Sequence, residues 1–143
     1  MLTVSIITPE GTVYTGEADS VTLPTADGEI TVLPHHIPLV GIVVPGTILL
    51  RKGGEAHFIA TSRGVVEVDG KGVSILADSA DRADELQEDA IRRAMEDAER
   101  LKTEKRNDAE GFAEATAMLD RELARLRTIR RHRTHRGMPQ TSE

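Results

Sequence analysis

The sequence predicts an α+β protein: an N-terminal antiparallel β-sandwich or flattened barrel, followed by a C-terminal antiparallel two-helix hairpin. Up to about position 77, short β-branched runs are separated by Gly and Pro turn signals, which is typical of strands. From 79 to 136 the chain has no proline and only one glycine, and its apolar residues recur at helical spacing. We therefore expect a β-sandwich domain over 1–78, a helical hairpin over 79–136 and a disordered tail over 137–143.

The organising stretch of the β domain covers residues 28–50. Pro34 and Pro38 bracket two histidines, and Pro45-Gly46 has the composition of a type II turn. The apolar run 37–50 is too short to span a membrane, and its prolines and glycines would break a helix. Three β-branched segments between the turns predict short buried strands: 30–33, 39–44 and 47–50.

The strands on either side follow the same logic. Residues 2–7 predict a first strand rather than a targeting peptide, since no charged segment precedes them. Asp69-Gly70 predicts a hairpin turn between two later strands. Eight or more strands with no helix between them indicate a sandwich or barrel.

Two helices are expected after this domain. Ser79 or Asp81 is a candidate cap for the first helix, and the polar segment 105–108 predicts the link to the second. The apolar stripes of both helices are narrow and rich in alanine. We therefore expect a hairpin that holds together weakly and detaches from the sandwich more easily than a core element would.

Composition excludes several classes of function. The net charge of −6 argues against a general nucleic-acid binder, and the absence of cysteine excludes disulfides and cysteine-based metal or redox sites. No nucleophile elbow or glycine-rich phosphate loop is present. Adjacent His35 and His36 would point to opposite sides of an extended chain, so we predict no metal site.

Charge is uneven along the helices. The first is acidic early and the second is basic late, as helix dipoles favour, and a binding role is an equally good explanation. The arginines exceed what a helix end needs, which makes an acidic protein surface a candidate partner. The candidate residues are Arg121, Arg125, Arg127, Arg130, Arg131 and Arg133.

Several segments together resemble the epsilon subunit of F-type ATP synthases. Residues 28–46, with Gly-Glu, Leu-Pro-His-His-Ile-Pro-Leu and Pro-Gly in order, are similar to that family's G-E-x-G-I-L-P-G-H-x-P-L…P-G signature. FIATSRGVVEV (58–68) and VSILADSADRA (73–83) resemble two further family segments. The chain departs from the pattern at three positions where the family has glycine: Thr31, His35 and Arg63.

The resemblance implies a non-catalytic subunit of the central stalk. Such a subunit joins the gamma subunit to the ring of c subunits and couples proton flow to ATP synthesis. It lies peripherally at the cytoplasmic face of the bacterial cell membrane, without inserting into it. The resemblance also implies that the hairpin extends against the alpha and beta subunits, where it blocks ATP hydrolysis and where its arginines meet an acidic segment of beta.

The resemblance also assigns residues to partners. Glu29 and His36 would contact the c ring. The residues expected to face gamma are Thr8, Val40, Ser62 and Glu67. In some members a helical motif binds ATP; here Asp89 and Arg92 fit its spacing, while the residues beside them do not. An alternative function is therefore an ATP-sensing module whose hairpin closes on the nucleotide.

Overall fold

A β domain and two helices make up the structure, a computed structural model that describes residues 1–135. The ten strands are β1 (Leu2–Thr8), β2 (Gly11–Ala18), β3 (Ser20–Thr25), β4 (Gly28–Val32), β5 (Leu39–Val43), β6 (Gly46–Lys52), β7 (Glu55–Thr61), β8 (Gly64–Val68), β9 (Gly72–Ala77) and β10 (Ala80–Arg82). Helix α1 (Glu88–Glu104) and helix α2 (Ala109–His135) follow a short 3₁₀ helix (Ala83–Glu85). The predicted fold class is confirmed. The predicted tail, 137–143, lies outside the described residues.

The strands form one sheet that folds over a single apolar core. Their order is β10-β7-β6-β3-β5-β8-β9-β1-β2, and β4 pairs with β3. The pairs are antiparallel except for β1 and β9, which run parallel. Alternate residues of each strand point inward, as the two-residue period of a strand requires. The largest fully buried side chains include Leu2, Ile6, Leu23, Ile48, Leu50, Ile59 and Ile75.

Three predictions about the segment 28–50 are wrong. Gly46 does not have the positive φ of a type II turn; it begins β6. A Cβ at this position would lie 2.8 Å from Cγ of Pro24, so glycine is needed here for close packing. The segments 30–33 and 39–44 are also not buried strands. Leu33 lies outside β4 and is exposed, and so are Val40 and Ile42 of β5.

The first helix begins later than predicted. Neither Ser79 nor Asp81 caps a helix, since Ala80–Arg82 adds strand β10 to β7. Main-chain pairing with a sheet edge outweighs the helix-start signal in this segment. Helix α1 begins at Glu88 after the extended residue Gln87, and the predicted link at 105–108 does separate the helices.

The hairpin lies against one face of the sheet. Helix α2 packs on β6 and β7 and on the 3₁₀ helix. Within the hairpin, Ile91, Leu126 and Ile129 form an apolar cluster that is bordered by Leu86 and Met95. Ala98 of α1 and Ala115 of α2 are fully buried. Small side chains therefore allow the helices to approach closely, as their alanine content predicts.

Candidate interaction surfaces

An uncovered apolar row crosses the outer face of four neighbouring strands. Ile42 of β5 pairs with Val65 of β8, Val65 pairs with Leu76 of β9, and Leu76 pairs with Ile7 of β1. The exposed fractions of these four residues lie between 37% and 56%. We call these four residues the apolar row. Contiguous exposed apolar surface of this kind is typical of a face that contacts another protein.

The row results from strands that are apolar on both faces. Each member stands next to a buried core residue: Val43, Val66, Ile75 or Ile6. A strand with one wet face would alternate apolar and polar residues, whereas these four strands place two apolar residues in succession. At the start of β8, Gly64 lets this strand approach β9 closely, because a Cβ there would collide with the backbone of Leu76 and Ala77.

Two of the residues predicted to face gamma lie beside the row. Val40 and Glu67 pair across β5 and β8, two positions along from Ile42 and Val65 and on the same face. Both are exposed, and Val40 is 77% exposed. Val40 therefore enlarges the exposed apolar surface on the same face of the sheet as the row.

The other two predicted residues differ from this pair. Thr8 is half-buried at the end of β1, where its hydroxyl donates to the carbonyl of Gly11. Ser62 is buried, and its Oγ accepts from the Ser79 amide at 2.8 Å and donates to the Ser79 carbonyl at 3.2 Å. Ser62 thus joins the end of β7 to the segment before β10, and its contact with gamma stays a prediction.

Sequence reasoning missed the four residues of the apolar row. The sequence does contain two consecutive apolar residues in each of these four strands: Ile6-Ile7, Ile42-Val43, Val65-Val66 and Ile75-Leu76. Strand register was needed to place these pairs side by side, and register is a tertiary property.

A second surface is the loop between β4 and β5. Leu33 and Ile37 are exposed there, at 56% and 75%. Nδ1 of the half-buried His36 lies 2.7 Å from the carbonyl oxygen of Ile37. His35 has a φ of 68°, a left-handed conformation that glycine adopts without strain. Glu29 is exposed at the other end of β4, so the structure does not bring Glu29 and His36 together.

The arginines of α2 divide into two groups. Arg125 pairs with Asp81 of β10 and with Glu122, each at 2.7 Å. Arg121 also contacts Glu122, at 3.3 Å, and Arg133 contacts Glu88 of α1, at 2.8 Å. These three arginines are therefore engaged within the chain.

The remaining arginines face outward. Arg131 lies over the ring of Phe58, 5.6 Å from its centroid. Arg127 and Arg130 are exposed and have no ion pair with any of the described residues. Only part of the predicted basic helix is thus available to a partner in this conformation.

The residues predicted to bind ATP lie at the start of α1. Asp89 is exposed, and Arg92 pairs with Glu88 at 2.9 Å. The hydrogen bond from Arg92, together with the charge of Arg133, holds the pKa of Glu88 below its ordinary value despite the opposing effect of burial. Arg92 is thus already committed to a carboxylate, and ATP binding stays a prediction.

An open groove separates the first half of α2 from the end of the sandwich. Its volume is about 770 Å³, and Ile42, Val44, Pro45, Phe112 and Met118 are among its lining residues. Ile42 therefore belongs both to the apolar row and to this groove. Within residues 1–135, no group of three or more His, Cys, Asp or Glu is placed to hold a metal. No described helix is long and apolar enough to span a bilayer.

Comparisons with known proteins agree with this fold. A family model described as ATP synthase, Delta/Epsilon chain, beta-sandwich domain matches residues 1–83. The ATP synthase epsilon chain of Halalkalibacterium halodurans is 37% identical over 125 residues, which cover 87% of this chain and 94% of the relative. That of Acidithiobacillus ferridurans is 35% identical over 130 residues, with coverages of 91% and 92%. A chain of the Euglena gracilis mitochondrial ATP synthase has a TM-score of 0.70 at 20% identity; the match covers 83% of this chain and 75% of that one.

A β-sandwich that leaves an apolar row open beside a helical hairpin defines a class: a subunit that docks on other proteins. Sequence similarity over almost the whole chain then identifies the family. The chain belongs to the ATP synthase epsilon-chain family and is part of the ATP synthase complex. The prediction of a non-catalytic subunit of an enzyme complex is confirmed by this membership.

Proposed function

We propose that this chain couples rotation of the c ring to the catalytic head, with the apolar row as its contact for gamma. The observation that carries the proposal is the row itself, which leaves four large aliphatic side chains in water until a partner covers them. Val40 and Glu67 extend the same face and belong to the proposed contact. Thr8 lies at its margin, and Ser62 would act through its link to Ser79.

The β4–β5 loop is the proposed contact for the c ring. Its exposed Leu33 and Ile37 add apolar surface near His36, and Glu29 adds a charge at the other end of β4. In this arrangement the complex lies at the cytoplasmic face of a bacterial membrane, with the ring below the loop and gamma against the row.

The test uses the absence of cysteine in this chain. A cysteine at Glu29 or His36 should crosslink to c under oxidation, and one at Val40 or Glu67 should crosslink to gamma. A pull-down from detergent-solubilised membranes would identify the partners independently. Crosslinks of all four positions to a single partner would contradict the two-surface assignment.

The hairpin is proposed to restrain ATP hydrolysis when it extends against alpha and beta. Arg127 and Arg130 support this role because they are exposed and unpaired within the described chain. Guanidinium groups suit carboxylate surfaces, and each exposed pair contributes about 0.2–1 kcal/mol. Replacing Arg127 and Arg130 with Ala should raise hydrolysis by the assembled enzyme at low salt and leave synthesis intact. Unchanged hydrolysis would leave them as a solvated helix face.

A further inference from the structure

Helix α2 packs on β6, β7 and the 3₁₀ helix, where Leu49, Phe58 and Ala83 form a small buried apolar cluster. The sandwich core cluster contains no residue of α1 or α2, and the cluster of Ile91, Leu126 and Ile129 contains no strand residue. Where α2 lies on β6 and β7, the ring of Phe58 meets His132 and Arg131. Two polar links also join the two parts.

The first polar link is an ion-pair bridge. The half-buried Arg125 donates from Nε to Oδ2 of Asp81 at 2.8 Å, and a second guanidinium nitrogen lies 2.7 Å from the same oxygen. Its remaining nitrogen donates to Glu122, which is 2% exposed. Arg125 thus joins a strand of the sandwich to a buried carboxylate of its own helix.

The second polar link is a buried pair of hydroxyls. Oγ1 of Thr47 in β6 lies 2.8 Å from Oγ1 of Thr128 in α2, and both residues are buried. The Thr128 hydroxyl donates to the carbonyl of Ala124, so the proton between the two hydroxyls must come from Thr47. This link therefore has a defined donor on the sandwich and a defined acceptor on the helix.

We propose that Asp81, Arg125, Glu122, Thr47 and Thr128 form a polar latch that holds α2 on the sandwich and sets how often the hairpin detaches. Water can replace these contacts once the hairpin leaves, whereas it cannot replace apolar ones. After detachment the hairpin keeps its own apolar cluster and the pair of Arg125 with Glu122. Detachment from the sandwich therefore does not require α1 and α2 to separate, and it releases one face of Arg125.

The latch also determines which arginines are available to a partner in each position of the hairpin. Arg125 bonds to Asp81 while the hairpin is docked, so it can meet an acidic partner surface with that face after detachment. This consequence rests on the proposed function of the hairpin. The latch itself is a property of the isolated chain and can be tested without gamma, c or the catalytic subunits.

The experiment measures how often a buried thiol becomes reactive. Ala60 of β7 pairs with Thr47 and is buried on the sheet face that α2 covers. In an Ala60→Cys chain, this single thiol can be alkylated when α2 leaves. Asp81→Asn and Thr47→Val should each raise the alkylation rate about fivefold, and the double variant about 25-fold, since each removes one link and keeps side-chain shape.

Two controls separate the latch from general effects. Asp84→Asn makes the same charge change three positions along, at an exposed residue that has no ion pair with the described residues, and should leave the rate unchanged. A Val66→Cys chain carries its thiol in the sandwich core, where alkylation needs unfolding of the sandwich. Two results would overturn the latch: an alkylation rate within twofold of the parent in the double variant, or equal acceleration of alkylation in the Ala60→Cys and Val66→Cys chains.

Discussion

Replacing three residues of the apolar row with threonine should weaken binding to gamma without unfolding the sandwich. The change is Ile42→Thr, Val65→Thr and Leu76→Thr in one chain. Threonine suits a strand, and all three side chains are about half exposed, so the folded state loses little. Complete burial of such a side chain is worth about 1.5–3 kcal/mol, so covering the exposed half contributes ~0.7–1.5 kcal/mol each. Together the three side chains contribute ~2–4 kcal/mol to the binding free energy. Losing this contribution raises the Kd roughly 30- to 700-fold.

Isothermal calorimetry of the chain with gamma measures this change, and thermal unfolding checks that the sandwich is intact. The matched control is Leu33→Thr with Ile37→Thr, which removes apolar residues that are equally or more exposed but lie in the β4–β5 loop. The control should bind gamma normally. A Kd raised less than about fivefold by the triple variant, or raised equally by the control, would refute the assignment of the row to gamma.

Three further predictions concern the isolated chain. A chain ending at Leu86 should unfold cooperatively and more stably than one ending at Ala80, because only the longer chain retains all of β10; equal melting temperatures would contradict this. His35→Gly should raise the free energy of unfolding by about 1 kcal/mol, because glycine adopts the left-handed backbone conformation without strain. If denaturant titration shows a lower free energy of unfolding instead, the imidazole contributes more than the strain costs. Because the folded pKa of Glu88 is depressed, its stabilisation is present above the ordinary glutamate value of about 4.3 and is lost as pH falls through the lower folded value. Glu88→Gln should therefore flatten the acid limb of the stability profile measured by chemical denaturation, and an unaltered limb would contradict the pairing.

The sequence predicted the fold well because local signals and tertiary pairing agree over most of the chain. Turn residues and strand runs alternate up to position 77, and the link at 105–108 separates two helical patterns, as the structure has them. The signals failed where a tertiary partner changed the outcome. The segment 80–82 has the sequence pattern of a helix start, yet it pairs with the edge of β7 and forms a strand.

The interaction surfaces were less predictable for a different reason. Exposure of Ile42 or Leu76 depends on which strands of the outer face the hairpin covers, and contacts between residues far apart in sequence decide this. Thr47 and Thr128 show this most clearly, since their hydrogen bond joins positions 81 residues apart. Neither threonine has a sequence pattern that marks it for the other. The arginines were visible in the sequence, but the carboxylates that engage Arg125 and Arg133 were not.

The contacts within the sandwich and within the hairpin differ in chemistry from those between the two parts. Strands of the sandwich meet through fully buried aliphatic residues, and α1 meets α2 through the cluster of Ile91, Leu126 and Ile129. Separating either would expose apolar surface for which water offers no compensation. The sandwich and the hairpin meet over a small apolar patch around Phe58 and also through an ion pair and a hydroxyl pair, whose groups regain hydrogen bonds in water. The apolar row is the opposite case, since its side chains are in water until a partner arrives. If the proposed latch is correct, the movement of this chain is concentrated at the boundary between the sandwich and α2, while the proposed docking face on the sandwich stays unchanged.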